Sequence, residues 1–289
     1  FGCRVLESLL TVLTRKNPDI LIIMAGYEKE IRQIMEKGYT YPRALSSVIN
    51  GKSPEIADVI TSPNNMLAIE YLRAVKKFSS SLKPFTIPRA YASHDGSSPE
   101  NGFASASYIR EQLIVYKDIF GIREYTTPLW SDAIANAIRN GTIASIQRLE
   151  RVLLYKLRST SAEEIAGISD VGQGLENRIS GARMAGSLEE LLFTVKTKRY
   201  TMSRIRRIML CLLLGITKED MNELPAYGRI LAFNERGKEI LAKAKNSTKI
   251  PFSTSIAKLS QLNEKAERFA ELEIRASDVY GLAMETVTS

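Results

Sequence analysis

The sequence predicts an α/β first half followed by a mainly α-helical second half. Two observations carry this. Up to about residue 125, segments with helical spacing alternate with one proline-bounded, β-branched and aromatic run and a polar loop, the pattern of an α/β domain. Beyond it, each segment has 3.6-residue apolar spacing, broken by Gly, Pro or Ser/Thr caps. The division drawn is 1–125 for the α/β part and 126–289 for the helical part, the latter reaching to about 250 with a helical tail behind it.

In order, residues 4–14 (RVLESLLTVLT) have helical apolar spacing. The stretch PDILIIMAGYEKEIRQIMEKG continues it and ends at Gly38, a residue suited to a helix C-terminus. The chain restarts at YTYPRALSSVI, with Pro42 near a helix start. SPNNMLAIEYLRAVKKF follows as a helix capped by Ser62 or Asn64, with Met66, Leu67, Ile69, Tyr71 and Leu72 on its apolar side. KPFTIPRAYAS reads as a short strand, HDGSSPENG as a loop and ASASYIREQLIVYKDIF as a Ser-capped helix start. In the second half, TTPLWSDAIANAIRNG, SIQRLERVLLYKLRS, SAEEIAGI, GLENRISGARMAG, SLEELLFTVKT, SRIRRIMLCLLLG and TKEDMNELP are helical patterns, as is the tail.

The composition, 44% hydrophobic and 25% charged, is that of a globular chain able to bury a core. Net charge +8 with a pI of about 9.4 suits an acidic partner, nucleic acid or a nucleotide; the alternative is a basic protein kept soluble by its charge. Cys3 and Cys211 are too far apart for a disulfide scaffold or a zinc site, which favours a reducing, cytoplasmic setting. No apolar run reaches the roughly 18 residues of a membrane span, and no signal peptide is visible.

Four stretches carry chemistry. In SPNNML, Asn64 and Asn65 either cap a helix or hydrogen-bond an adenine or ribose. In IPRAYASHD, the single histidine, His94, stands beside Asp95 with no nucleophile motif around it. Arg89 closes the predicted strand there, where an open α/β sheet binds ligands. In ASASYIRE, Ser105 and Ser107 at a helix start, with Arg110 behind them, form a candidate phosphate cradle. In KTKRYTMSRIRR, Lys196, Lys198, Arg199, Arg204, Arg206 and Arg207 crowd around a helix start capped by Thr201 or Ser203. Ile205, Ile208, Met209, Leu212 and Leu213 form its apolar face; the arginines and Cys211 fall largely off it. Cations at that end oppose the macrodipole by about 0.3–1 kcal/mol, so a bound anion would make the placement favourable. Tyr200 amid the charges is a candidate for stacking on a base.

Taken together, FGC (1–3), GYTYPRA (38–44), PNNMLAIEYL (63–72), ASASYIR (104–110), GLENRI (174–179) and KTKRYTMSRIRR (196–207) resemble, in order and approximate spacing, the bacterial tRNA(Met) cytidine acetate ligases. The resemblance implies a nucleotidyltransferase-like, Rossmann-like domain, incomplete at its N-terminus, followed by a helical domain. It implies activation of acetate by ATP as acetyl-adenylate, with Mg²⁺, and transfer to N4 of the wobble cytidine of elongator methionine tRNA. It further implies Gly2, one of Asn64 and Asn65, Arg89, Ala90, Ser105, Ser107 and Arg110 as ATP contacts. Lys196, Lys198, Arg199, Tyr200, Arg204, Arg206 and Arg207 become tRNA contacts.

The family also has an HxGH motif whose histidines contact the ATP phosphates. This sequence has one histidine and no such motif, and FGC runs directly into RVLESLL without the usual acidic-glycine turn. The expectation is a truncated or incompletely represented ligase that does not form acetyl-adenylate by itself. A non-catalytic RNA-binding protein and a small-molecule nucleotidyltransferase are the competing readings.

Overall fold

The computed structural model describes residues 27–39, 41–50, 63–79, 83–85, 98–99, 102–172, 174–197 and 199–287. Two compact units emerge: residues 1–111 with 197–200, and residues 112–196 with 201–289. The expected helix at 4–14, most of the expected strand at 83–93, and the loop residues His94 and Asp95 lie outside the described residues.

The described part of the first unit is helical. Helix α1 (Glu28–Glu36) ends where the sequence places its stop: Gly38 takes φ +92 and its N–H donates to the Met35 carbonyl at 2.9 Å. Helix α2 (Tyr41–Asn50) has Pro42 in its first turn. Its apolar residues Ala44, Leu45, Val48 and Ile49 share one face, all buried, and α1 packs against α2 through buried Ile31. Helix α3 (Pro63–Lys77) buries Ile69, while Leu67 and Tyr71 stay exposed. Helix α4 (Ala106–Glu111) is short. The Ser-capped helix start expected in ASASYIREQLIVYKDIF is present as α4, with the Ser105 Oγ accepting the Tyr108 N–H; after α4 the chain relaxes into a π-turn (Gln112–Tyr116). It then passes through Lys117 at φ +52 into a 3₁₀ turn (Phe120–Tyr125). No residue of α4 or the π-turn is buried, so apolar packing does not hold this stretch to one helical period.

The second unit is a helical assembly. Its helices are α5 (Pro128–Arg139), α6 (Glu150–Arg158), α7 (Ala162–Gly167), α8 (Leu175–Gly181), α9 (Leu188–Val195), α10 (Met202–Leu214) and α11 (Lys218–Asn222). Side-chain caps start most of them. Thr127, Ser161, Ser187, Thr201 and Thr217 each accept a backbone N–H of the first turn, and Ser161 and Thr217 form reciprocal capping boxes with Glu164 and Asp220. The core is aliphatic. Leu153, Leu154 and Leu157 of α6, Leu188, Leu191, Leu192 and Val195 of α9, and Ile205, Ile208, Met209 and Leu212 of α10 are all buried. Fully burying one such side chain contributes about 1.5–3 kcal/mol, so this α6–α9–α10 layer dominates the unit's stability.

The chain beyond α11 is not purely helical. Strand β1 (Gly228–Arg229) pairs in parallel with β2 (Phe252–Ser253) around α12 (Glu235–Ala244), a two-residue ladder too short to leave a strand period in the sequence. Helices α13 (Ile256–Ser260) and α14 (Glu264–Leu282) follow, and α14 packs on both α13 and α10. The expected helical tail is therefore present as α14.

Candidate nucleic-acid interface

The residues expected to hold nucleotide divide by position. Gly2, Arg89 and Ala90 lie outside the described residues. Asn64 and Asn65 lie within the first turn of α3, behind Pro63, and so are part of the helix rather than its cap. Ser105 is buried, and its Oγ accepts the Tyr108 N–H at 3.0 Å, the bond of an N-cap. The Arg110 guanidinium donates to Ser107 Oγ at 3.2 Å on the exposed side of α4. Ser107 and Arg110 thus form a surface pair, while the Ser105 hydroxyl is engaged in capping.

The basic stretch resolves into members with different surroundings. Of the two residues that the sequence offers as the α10 cap, Thr201 takes the position, accepting the Arg204 N–H at 3.4 Å. The apolar face falls largely where expected, except that Cys211 joins the buried set and Leu213 is only half-buried. Burial pushes the Cys211 thiol up in pKa, the nearby Asp170 adds to this, and Arg207 opposes it.

Asp170 is the residue that the sequence reading missed. It sits in the turn after α7 at φ +69, a conformation that Asp tolerates better than most side chains. The turn is tied to the far end of α10, where Ser169 N–H donates to the Ile216 carbonyl at 3.1 Å and Ile168 bridges Thr217. Arg204 donates to the Asp170 carbonyl through Nη2 at 2.7 Å and Nε at 3.3 Å. Arg207 donates to the Asp170 carboxylate through Nε at 2.7 Å and through Nη2. Part of the anion that cations at this helix end call for is therefore internal. The signal lies 34 residues upstream of Arg204 in a turn, where no local pattern pairs the two.

The other members separate further. Arg206 points outward and makes no ion pair among the described residues. Lys196 follows the end of α9, where a cation suits the dipole, and its Nζ lies 5.8 Å from the Phe193 ring centroid. Thr197 Oγ1 accepts the N–H groups of Arg199 and Tyr200, each at 3.1 Å, closing a tight turn; Lys198 is outside the described residues. The Arg199 guanidinium lies 5.9 Å from the Tyr200 ring centroid. Tyr200 itself is only 6% exposed. This corrects the expectation of a stacking platform: in this arrangement packing covers the ring, and it offers no free face to a base.

Elsewhere in the helical unit, arginines close helix ends. Arg178 donates to the Val195 and Thr194 carbonyls at 2.8 and 2.7 Å. Arg268 donates to the Gly215 carbonyl at 2.7 Å and Arg275 to the Leu214 carbonyl at 2.8 Å, both at the C-terminus of α10. Arg268 also grips Asp220 at 2.9 and 3.0 Å, and this guanidinium holds the Asp220 carboxyl below the usual carboxylate range. Among the described residues, no group of three or more His, Cys, Asp or Glu is placed to hold a metal ion, and no helix is long and apolar enough to cross a membrane.

Comparison with known proteins places this geometry in context. A family model described as HIGH Nucleotidyl Transferase matches residues 19–289. The tRNA(Met) cytidine acetate ligase of Thermoanaerobacter pseudethanolicus is 37% identical over 268 residues, covering 89% of this chain and 65% of that protein. The ligase of the same description from Caldanaerobacter subterraneus subsp. tengcongensis is 35% identical over 284 residues, covering 96% of this chain and 68% of that protein. The chain thus spans about two thirds of the length of these relatives. Among solved structures, Thermotoga maritima TmcAL in its apo form I superposes with a TM-score of 0.82 at 25% identity, over 93% of this chain and 69% of that one. The same protein bound with alpha-thio ATP superposes at 0.79 and 23% identity, over 99% of this chain and 70% of that one, a likeness of fold.

Proposed function

The chain belongs to the tRNA(Met) cytidine acetate ligase family, within the HIGH nucleotidyl transferases, and from that membership we propose that it works in an ATP-dependent ligase that acetylates tRNA. Its fold is accordingly α/β nucleotidyltransferase-like with a mainly helical C-terminal part. The observation that carries the functional reading is the 35% identity to such a ligase across 96% of this chain. In the proposed reaction, acetate attacks the α-phosphorus of ATP, pyrophosphate leaves, and the acetyl-adenylate passes its acetyl group to the N4 amine of the wobble cytidine of elongator methionine tRNA, releasing AMP. An anticodon loop suits this acceptor, because a single-stranded cytosine can be splayed out to present its amine.

The roles proposed for this chain's residues are binding and positioning. Ser107 and Arg110 supply a hydroxyl and a cation beside each other for phosphate oxygens. Asn64 and Asn65 stand at a helix N-terminus, where the macrodipole favours an anion. Mg²⁺ is proposed on the phosphate oxygens of ATP, the usual position for a cation that keeps most of its water. Arg206, Arg199 and Lys196 offer charge to the tRNA backbone.

Deleting the coding sequence in its source organism should remove N4-acetylcytidine from elongator methionine tRNA, read by mass spectrometry of the isolated tRNA. Persistence of the modification at its wild-type level would overturn the reading.

A further inference from the structure

Helix α6 has two unlike faces. Leu153, Leu154 and Leu157 point into the layer with α9 and α10. The opposite face, one turn at a time, presents Arg151 and Val152, then Tyr155, then Arg158, all exposed. Tyr155 is 71% exposed, and neither its hydroxyl nor the Arg151 guanidinium has a hydrogen-bond or ion-pair partner among the described residues. Arg158 is held in place by donating to the carbonyls of Arg183 at 3.2 Å and Ala185 at 3.0 Å, which fixes its position while leaving its charge without a carboxylate. Glu150, the one acidic residue of the helix, is turned away: its Oε2 accepts the Leu188 N–H at 2.9 Å at the start of α9. An exposed tyrosine alone is ordinary. A tyrosine between two arginines one turn to either side, on a face cleared of acid in a protein of net charge +8, is the combination that binds single-stranded nucleic acid. Bases stack on the ring and phosphates meet the guanidinium groups.

We propose that the outward face of α6 is an RNA-docking surface on which Tyr155 stacks an unpaired base between Arg151 and Arg158. The proposal rests on the tRNA reading above and adds to it a contact surface distinct from the basic stretch at 196–207. Because Tyr155 was not singled out by local charge density, the sequence signal is its helical spacing from Arg151 and Arg158, visible once the buried leucines fix the orientation of the helix.

The test is a titration of methionine elongator tRNA against the chain over a series of salt concentrations. Four proteins are compared: wild type, Tyr155→Ala, Tyr155→Phe and Arg151→Gln, with thermal melts confirming an unchanged fold. Tyr155→Ala should weaken binding about tenfold, the loss of one stacked base, and Tyr155→Phe should stay within about twofold because the ring remains. Arg151→Gln should lower the slope of log affinity against log salt by about 0.7–0.9, one phosphate contact. Wild-type binding that none of these substitutions changes overturns the α6 surface alone. Absence of any tRNA binding by the wild-type chain overturns the functional reading, and this surface with it.

Discussion

Arg204, Arg206 and Arg207 lie within one turn of helix, yet only one of them is free of the fold. Arg204 is the most enclosed, with its side chain 29% exposed and two of its donors on the Asp170 carbonyl; Arg207 is 61% exposed and paired with the Asp170 carboxylate. Charge-assisted hydrogen bonds to a part-buried carbonyl contribute more than exposed pairs do. Arg204→Ala should therefore lower unfolding free energy by about 1 kcal/mol in denaturant titrations, with the turn around Asp170 loosened. Arg206→Glu should leave the melt unchanged and weaken tRNA binding, with a flatter salt dependence. The reverse pattern, a stable Arg204→Ala and a destabilised Arg206→Glu, would overturn this division of roles. The sequence could place all three arginines at a helix start, because capping and apolar spacing are local. It could not separate them, because their partner Asp170 belongs to a turn far upstream whose left-handed backbone has no local signature. Tyr200 illustrates the same limit: its position among charges suggested exposure, and tertiary packing decided otherwise.

Among the elements, α10 is secured at both ends by side chains from other helices and turns. Asp170 meets its N-terminal half, and Arg268 and Arg275 of α14 take the carbonyls of Gly215 and Leu214 at its end. Gly215 is at φ +71 there, the left-handed residue that terminates the helix. The Asp220–Arg268 pair joins this cap to α11, and Asp220 is the least exposed carboxylate among the described ion pairs. Its pKa in the folded chain is depressed, chiefly by the Arg268 hydrogen bonds, with burial acting against them. A depressed carboxylate contributes stability that is fully present above its unfolded value of about 3.9 and is lost as pH falls through the folded value. Asp220→Asn should thus cost about 1–2 kcal/mol at pH 7, and the difference from wild type should shrink as unfolding is measured at progressively lower pH below 4. A penalty that stays constant down to pH 2 would mean that the pair's charge is not what stabilises the junction. Helix stops at this scale were readable where Gly or a hydroxyl cap marked them. The π-turn after α4 and the β1–β2 ladder were not, since each is set by neighbouring packing or backbone pairing and neither has a residue period of its own.

For the whole molecule, the expectation is that binding and bond-making separate in this chain. The chain carries a net charge of +8, and Arg206 beside α10 and the arginines on the outward face of α6 are exposed cations able to attract a polyanion. Adenylyl transfer asks for more: groups preorganised around the α-phosphate as charge moves to the leaving pyrophosphate. The family resemblance assigns that work to the two histidines of an HxGH motif, and these 289 residues contain one histidine, His94. The chain covers 65% of its Thermoanaerobacter pseudethanolicus relative. The 289-residue chain supplied with ATP, acetate and Mg²⁺ should release no pyrophosphate above background. In a parallel titration it should bind elongator methionine tRNA, with affinity falling steeply as salt is raised from 50 to 200 mM. Sustained pyrophosphate release that depends on acetate would overturn this separation: the residues that stabilise adenylyl transfer would then be present within the chain, with Arg110 and Ser107 the first to replace by alanine in locating them.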